Sequence, residues 1–430
     1  MSAAPTQRDY ARKFQRIAPH TDYRFLPAAD RQLIARVAGE WQLTQQELRQ
    51  VSAMALERVR WKEAPLSEAL AQWREHHGGG GKKRALAALR EMHETLRAAP
   101  NRYDAFTRAD KPRASKPAIK TKTRKQLGLG RCPVASVRTR CCNLLTLDAV
   151  EKCGFDCSYC SVQSFYHGDE VVFDRDFAAK LERLPLDPNQ TYHIGTGQSS
   201  DSLMWGNHNG VLDALCAFAR RHPNVILELK TKSKNINHLL RSEVPVNVIC
   251  TWSLNTQTVI DHEEHGCAGL DARIDAARRI AARGGLVGFH FHPVVHYANW
   301  RREYQAIAAR LTDAFAPEQV ALVSIGTLTY SKAVMKTIRR RALTSKILQM
   351  PLTETAGKYS YPEAVKLDLF RAVYGALQAW HGRVFFYLCM EPAALWPRVF
   401  GFDYADNAQF EAAMKSAYFD KIAGIDRRRP

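Results

Sequence analysis

The 430-residue chain has no run approaching the ~18 consecutive apolar residues that a membrane span needs. Its start, MSAAPTQRDYARKFQR, is polar and charged and lacks the apolar stretch of a secretory leader. Neither membrane insertion nor secretion is expected, and a cytoplasmic address is. Acid is scarce as well: 43 Asp+Glu against 62 Lys+Arg leave a formal net charge of +19. That excess favours a polyanionic partner, nucleic acid before an anionic membrane surface. No internal repeat, no Ser/His/Asp order and no paired-carboxylate spacing stands out. The segment His77–Lys83 carries four glycines before two lysines but lacks the Gly-x4-Gly-Lys-Ser/Thr spacing and follows no strand. It reads as a flexible linker, not a phosphate loop.

What is present is an ordinary globular mixture, 46% hydrophobic, long enough for two or three units or one large barrel with appendages. Residues 1–100 read as helical: Thr44 and Glu47 have capping-box spacing ahead of the periodic stretch LRQVSAMALERVRW. Residues 101–140 form a basic arm or linker, with 12 Lys/Arg against 2 Asp over 102–140. From about residue 141 the pattern changes to short β-rich runs: Leu144–Val150, Thr191–Gly197, Val225–Ser233, Val246–Asn255, Leu286–His296 and Val320–Tyr330. Helical segments such as Val211–Arg221 and Leu270–Arg283 separate them, which predicts a parallel α/β sheet, open or closed into a barrel, over 141–331. Residues 347–430 read as a C-terminal α+β extension with a strand at Val384–Cys389.

The ten cysteines carry the chemistry. Without disulfide-permissive context they read as metal ligands, redox thiols or core residues. Cys153-Gly-Phe-Asp-Cys157-Ser-Tyr-Cys160 brings three thiolates onto one loop after a strand, suited to zinc or to an iron–sulfur cluster. Structural zinc wants four closed ligands, whereas a four-iron cluster held by three cysteines leaves one iron open.

This Cys-x3-Cys-x2-Cys loop resembles the signature of the radical SAM superfamily. The later blocks Gly195–Asp201 (GTGQSSD), Leu227–Ser233 (LELKTKS), Trp252–Asn255 (WSLN), Gly288–Phe291 (GFHF) and Tyr387–Glu391 (YLCME) narrow the resemblance to the spore photoproduct lyase, DNA-repair photolyase-like family. It covers about residues 132–402. The resemblance implies a partial (β/α)6 TIM-type barrel with its site at the C-terminal mouth. It implies that Cys153, Cys157 and Cys160 hold a 4Fe-4S cluster and that S-adenosyl-L-methionine (SAM) chelates the open iron. Reductive cleavage of SAM would give a 5′-deoxyadenosyl radical that repairs a pyrimidine lesion in DNA, with electrons from a low-potential donor such as flavodoxin or ferredoxin. Ser199, Lys232 and Ser253 would contact SAM, Lys232 through its carboxylate, and Tyr159 would be catalytic. The family's hydrogen-donating cysteine aligns here to Gln198 or Ser199, and its second tyrosine to Ser161. Cys267, in a loop after a strand, is the substitute donor to consider, while Cys141 and Cys142 are expected at the opposite end of the barrel. Which lesion is repaired therefore stays open, as do a modified nucleotide, RNA or peptide substrate, and a non-catalytic, metal-stabilised nucleic-acid-binding protein.

Residues 332–346 hold six Lys/Arg and no acid. In the family this region is a basic hairpin that enters DNA, so Lys332, Lys336, Arg339, Arg340, Arg341 and Lys346 are the candidate phosphate contacts. His290, His292 and His296 share one strand face and read as substrate-facing or packed residues. Glu263, Glu264 and His265 read as surface.

Overall fold

The computed structural model describes residues 7–77, 81–105, 117–132, 138–162, 168, 170–341, 343–355 and 357–427. The glycines of the His77–Lys83 linker at 78–80 and the 106–116 part of the basic arm lie outside them. The chain divides into two compact units, 1–111 with 341–351, and 112–340 with 352–430. No helix among the described residues is long and apolar enough to cross a membrane.

The first unit is helical: Gln7–Ile17, Ala28–Trp41, Gln45–Trp61, Leu66–His77 and Lys82–Ala98. The expected capping box starts the third helix, with Glu47 N–H donating to Thr44 Oγ1 at 3.2 Å and Thr44 N–H to Glu47 Oε2 at 2.8 Å. Its apolar face buries Leu48, Val51 and Ala55 against Ile34, Val37, Leu70 and Leu89. Residues 341–351 complete this unit. Lys346, 1% exposed, pairs its ammonium with Glu63. It also donates to Gln349 Oε1 at 3.2 Å, and its carbonyl accepts from Asn101 Nδ2 at 3.0 Å. The expected role of Lys346 on DNA is thus corrected: its charge is buried and compensated inside the helical unit.

The second unit is built on an eight-stranded sheet, labelled here in chain order: β1 Leu129–Arg131, β2 Leu145–Leu147, β3 Tyr192–Thr196, β4 Val225–Thr231, β5 Val248–Ser253, β6 Leu286–Val294, β7 Val320–Thr327 and β8 Phe385–Leu388. The spatial order equals the chain order, and β1 and β8 are the two edges. Only β1 runs antiparallel to its neighbour; β2 through β8 are parallel. This is the expected partial barrel, with one addition: the strand assigned to the C-terminal extension joins the sheet as β8. Strands β5 and β7 are buried at every position, as apolar runs covered on both faces must be.

The C-terminal helix Asn407–Asp426 lies against the strand starts. Lys415 Nζ donates to Thr191 O at 2.7 Å just before β3, and Tyr418 sets its ring 5.5 Å from that of His193. One end of the barrel is thereby filled. The basic run after β7 forms a helix, Lys332–Arg340, not a hairpin: Val334 and Ile338 are buried one turn apart, while Lys332, Lys336, Arg339 and Arg340 are exposed.

Candidate active site

The strand ends opposite the Asn407–Asp426 helix carry the polar loops. Gly197 follows β3 at φ +91°, and a Cβ there would stand 2.5 Å from Lys230 O and 2.8 Å from Ser202 Oγ. Only glycine suits the turn. The turn delivers Asp201, whose carboxylate accepts from Leu203 N (3.0 Å), Met204 N (2.9 Å), Thr231 Oγ1 (2.7 Å) and Lys232 N (2.6 Å). Burial raises this carboxyl even so. It locks the loop after β3 to the end of β4.

The cysteine loop is fixed by a second set of bonds. Asp156–Cys157 pairs antiparallel with Glu264–His265, and Ser158 N–H donates to Glu263 O at 2.8 Å. The Ser158 hydroxyl bonds the Glu263 carboxylate and the Tyr159 hydroxyl bonds that of Glu264. Glu264 also pairs with Arg273, whose guanidinium reaches Ser253 O at 2.8 Å. Glu263, Glu264 and His265 are 0, 2 and 7% exposed. The surface reading of these three is therefore corrected, because they form the bed under the cysteine loop. Gly154 permits the close fit on the other side: a Cβ there would clash with Met204 and stand 2.8 Å from the Trp205 ring.

Cys153, Cys157 and Cys160 line one cavity of about 170 Å³ together with Gln198, Ser199, Asp201, Lys230, Lys232 and Ser253. Burial pushes the Cys153 thiol well up. The three thiols converge on one space as a soft donor set, which fits an iron–sulfur cluster with one iron left open. They are not drawn together at metal-binding distance, and no group of three His, Cys, Asp or Glu in such an arrangement occurs among the described residues. Lys232 sits with its ammonium 5.8 Å from the Tyr159 ring centre. Burial works against its charge, but Glu264, Cys157 and Cys267 outweigh this and hold its pKa above the usual lysine value. Ser199 faces the same cavity, while its hydroxyl donates to Val150 O at 2.5 Å.

A second cavity, about 200 Å³, shares Cys160, Gln198, Lys230, Lys232 and Ser253 with the first and continues past Tyr159, Ser161, His290, His292 and Tyr387. Glu228 stands in its wall, a charged residue in the middle of β4. It accepts from Thr251 Oγ1 at 2.9 Å and bridges His193 Nε2 (2.9 Å) and His290 Nε2 (2.7 Å). Burial opposes its ionisation, but the two histidines hold the carboxyl well below the usual glutamate value. Burial, aided by Lys230, pushes His290 down to about 4. His296 does not line this cavity; its backbone N–H donates to Tyr361 Oη at 3.3 Å.

Two cysteine placements differ from expectation. Cys142, with Cys132 and Cys389, lines the second cavity beside Cys160 and so is not at the far end of the barrel. Cys267 lines neither cavity; its sulfur lies 3.7 Å from that of Cys157. Sequence reasoning missed Asp201, Glu228 and the Glu264–Arg273 pair. The carboxylate between leucines at 227–229 was the available signal for Glu228, since burial of an acid demands partners.

Fold and loop together define the class: a partial α/β barrel presenting three thiols at its open mouth. The family model for spore photoproduct lyase matches residues 178–368, beyond the cysteine loop. The spore photoproduct lyase of Clostridium acetobutylicum is 23% identical over 223 residues, 50% of this chain and 64% of the relative. That of Bacillus subtilis is 32% identical over 94 residues, 22% of this chain and 27% of the relative. The chain thus spans less than two thirds of the length of these relatives. Among solved structures, a spore photoproduct lyase complexed with dinucleoside spore photoproduct superposes with a TM-score of 0.52 at 18% identity, covering 63% of this chain and 82% of that one. A mutant lyase with bound AdoMet and dinucleoside spore photoproduct gives 0.53 at 19% identity, over the same shares. Residues 178–368 are thus similar to the spore photoproduct lyase family, and the barrel has the fold of its solved members.

Proposed function

We propose that this chain is a radical SAM lyase that repairs a pyrimidine lesion in DNA, spore photoproduct being the first candidate. The observation that carries the reading is the pair of joined cavities, one lined by the three loop thiols and the other by histidines, a buried carboxylate and tyrosines. Relatives of this fold hold AdoMet and a dinucleoside lesion. Cys153, Cys157 and Cys160 would hold the 4Fe-4S cluster, with SAM in the first cavity. Together the bound groups supply hydrogen-atom abstraction, chemistry that belongs to cofactors and that the protein steers.

The residues of this chain do the rest. Lys232, charged and beside the thiols, suits the SAM carboxylate, while Ser199 and Ser253 shape the same wall. Asp201 and the Glu264–Arg273 pair keep these groups from shifting as charge moves nearby. Tyr159 is held by Glu264 in the wall of the second cavity, next to Cys160, and suits a catalytic role there. Burial and Lys230 keep His290 neutral, while Glu228 fixes its ring by accepting from Nε2, leaving the second cavity fit for an uncharged base. The exposed face of Lys332–Arg340 suits DNA phosphates, and an exogenous flavodoxin or ferredoxin suits the electron supply.

The test is anaerobic reconstitution with iron and sulfide, followed by reduction with SAM and detection of 5′-deoxyadenosine. The reading requires a cluster of about four irons and SAM cleavage; bound zinc, or a cluster inert toward SAM, contradicts it.

A further inference from the structure

Cys267 contacts a loop sulfur while lining neither cavity, and its backbone is held in place. The Glu264–His265 strand pairs with Asp156–Cys157, Cys267 N–H donates to Glu264 O at 3.3 Å, and Ala268 N–H donates to Lys232 O at 3.1 Å. Arg273 Nε binds Ala268 O at 2.8 Å from the far side. Backbone bonds thus hold both main-chain segments that carry the Cys157 and Cys267 sulfurs, which stand 3.7 Å apart.

We propose that Cys267 donates an S–H···S hydrogen bond to the Cys157 sulfur and thereby raises the reduction potential of the cluster. This rests on the cluster assignment made above. A ligating sulfur is a thiolate and carries no proton, so in this pair it can only accept, and Cys267 has the proton to give. The added electron increases negative charge on the ligating sulfurs. A donor aimed at one of them stabilises the reduced state more than the oxidised one, and hydrogen bonds to ligand sulfurs are a recognised control of such potentials. The Lys232 ammonium, which lines the same cavity as Cys157, acts in the same sense. Cys267 is thus a tuning residue: it touches neither cavity and acts through Cys157.

The experiment compares the full-length wild type with Cys267→Ala and Cys267→Ser after anaerobic reconstitution, without DNA or SAM. Iron and sulfide are assayed, and the cluster is titrated against applied potential by electron paramagnetic resonance. The expected result is equal iron in all three and a more negative midpoint for Cys267→Ala. At the wild-type midpoint its reduced fraction should fall several-fold, and Cys267→Ser should recover part of the shift because a hydroxyl still donates. Identical midpoints overturn the inference, as does loss of iron from Cys267→Ala, which would make Cys267 a ligand. Failure of the wild type to take up any cluster would instead remove the cluster assignment itself, and this inference with it.

Discussion

Gly197 bends the chain at φ +91° directly over Lys230 O, so a side chain there pushes against backbone as well as against the torsional preference. Gly197→Ala is expected to cost about 1–3 kcal/mol locally. It should raise the KM for SAM more than it lowers melting temperature, since the displaced loop carries Ser199 and Asp201; steady-state kinetics alongside thermal melts would check this. Cys157→Ala should abolish cluster uptake and 5′-deoxyadenosine formation, read by iron assay and chromatography, because two remaining thiols do not hold four irons. The cysteine loop is legible in the sequence because its ligand spacing is local. Glu228, Asp201 and Glu264 are not, because the groups that hold them in place come from neighbouring strands, loops and helices that only the fold brings together. In sequence Glu264 resembles a surface residue beside Glu263 and His265; in the fold Tyr159, Asn255 and Arg273 close around it.

Elements are easier to read than side chains. Strands β3 to β7 follow apolar runs long enough to be buried on both faces, and the periodicity of Val211–Arg221 gives the bounds of the helix found there. The basic segment after β7 is a helix where a hairpin is expected, although Val334 and Ile338 already have helical spacing; its charge is the louder signal and its period the decisive one. That helix carries a prediction of its own. Replacing Arg339, Arg340 and Arg341 by glutamine should weaken DNA binding and reduce the slope of log affinity against log salt by about 0.9 for each phosphate no longer neutralised. Lys346→Ala should leave that slope unchanged and instead destabilise the helical unit by about 1–3 kcal/mol, since it strips Glu63 and Gln349 of a buried donor. Filter binding over a salt series and chemical unfolding separate the two outcomes.

At the scale of the molecule, the chain divides into 1–111 with 341–351 and 112–340 with 352–430, and the return of 341–351 to the helical unit has no signal in the sequence. A segment that reads as a basic appendage contributes Ile347 and Met350 to buried surface, and only the tertiary structure reveals which partners receive them. The net charge of +19 suits a polyanion at long range. The central claim is lesion repair by hydrogen abstraction. Its most direct measurement supplies the reconstituted, reduced protein with SAM and a dinucleoside spore photoproduct, and follows the nucleotide products by mass spectrometry. The account predicts restored thymidines, dependent on SAM and absent in Cys157→Ala. SAM cleavage with the lesion left intact would contradict it.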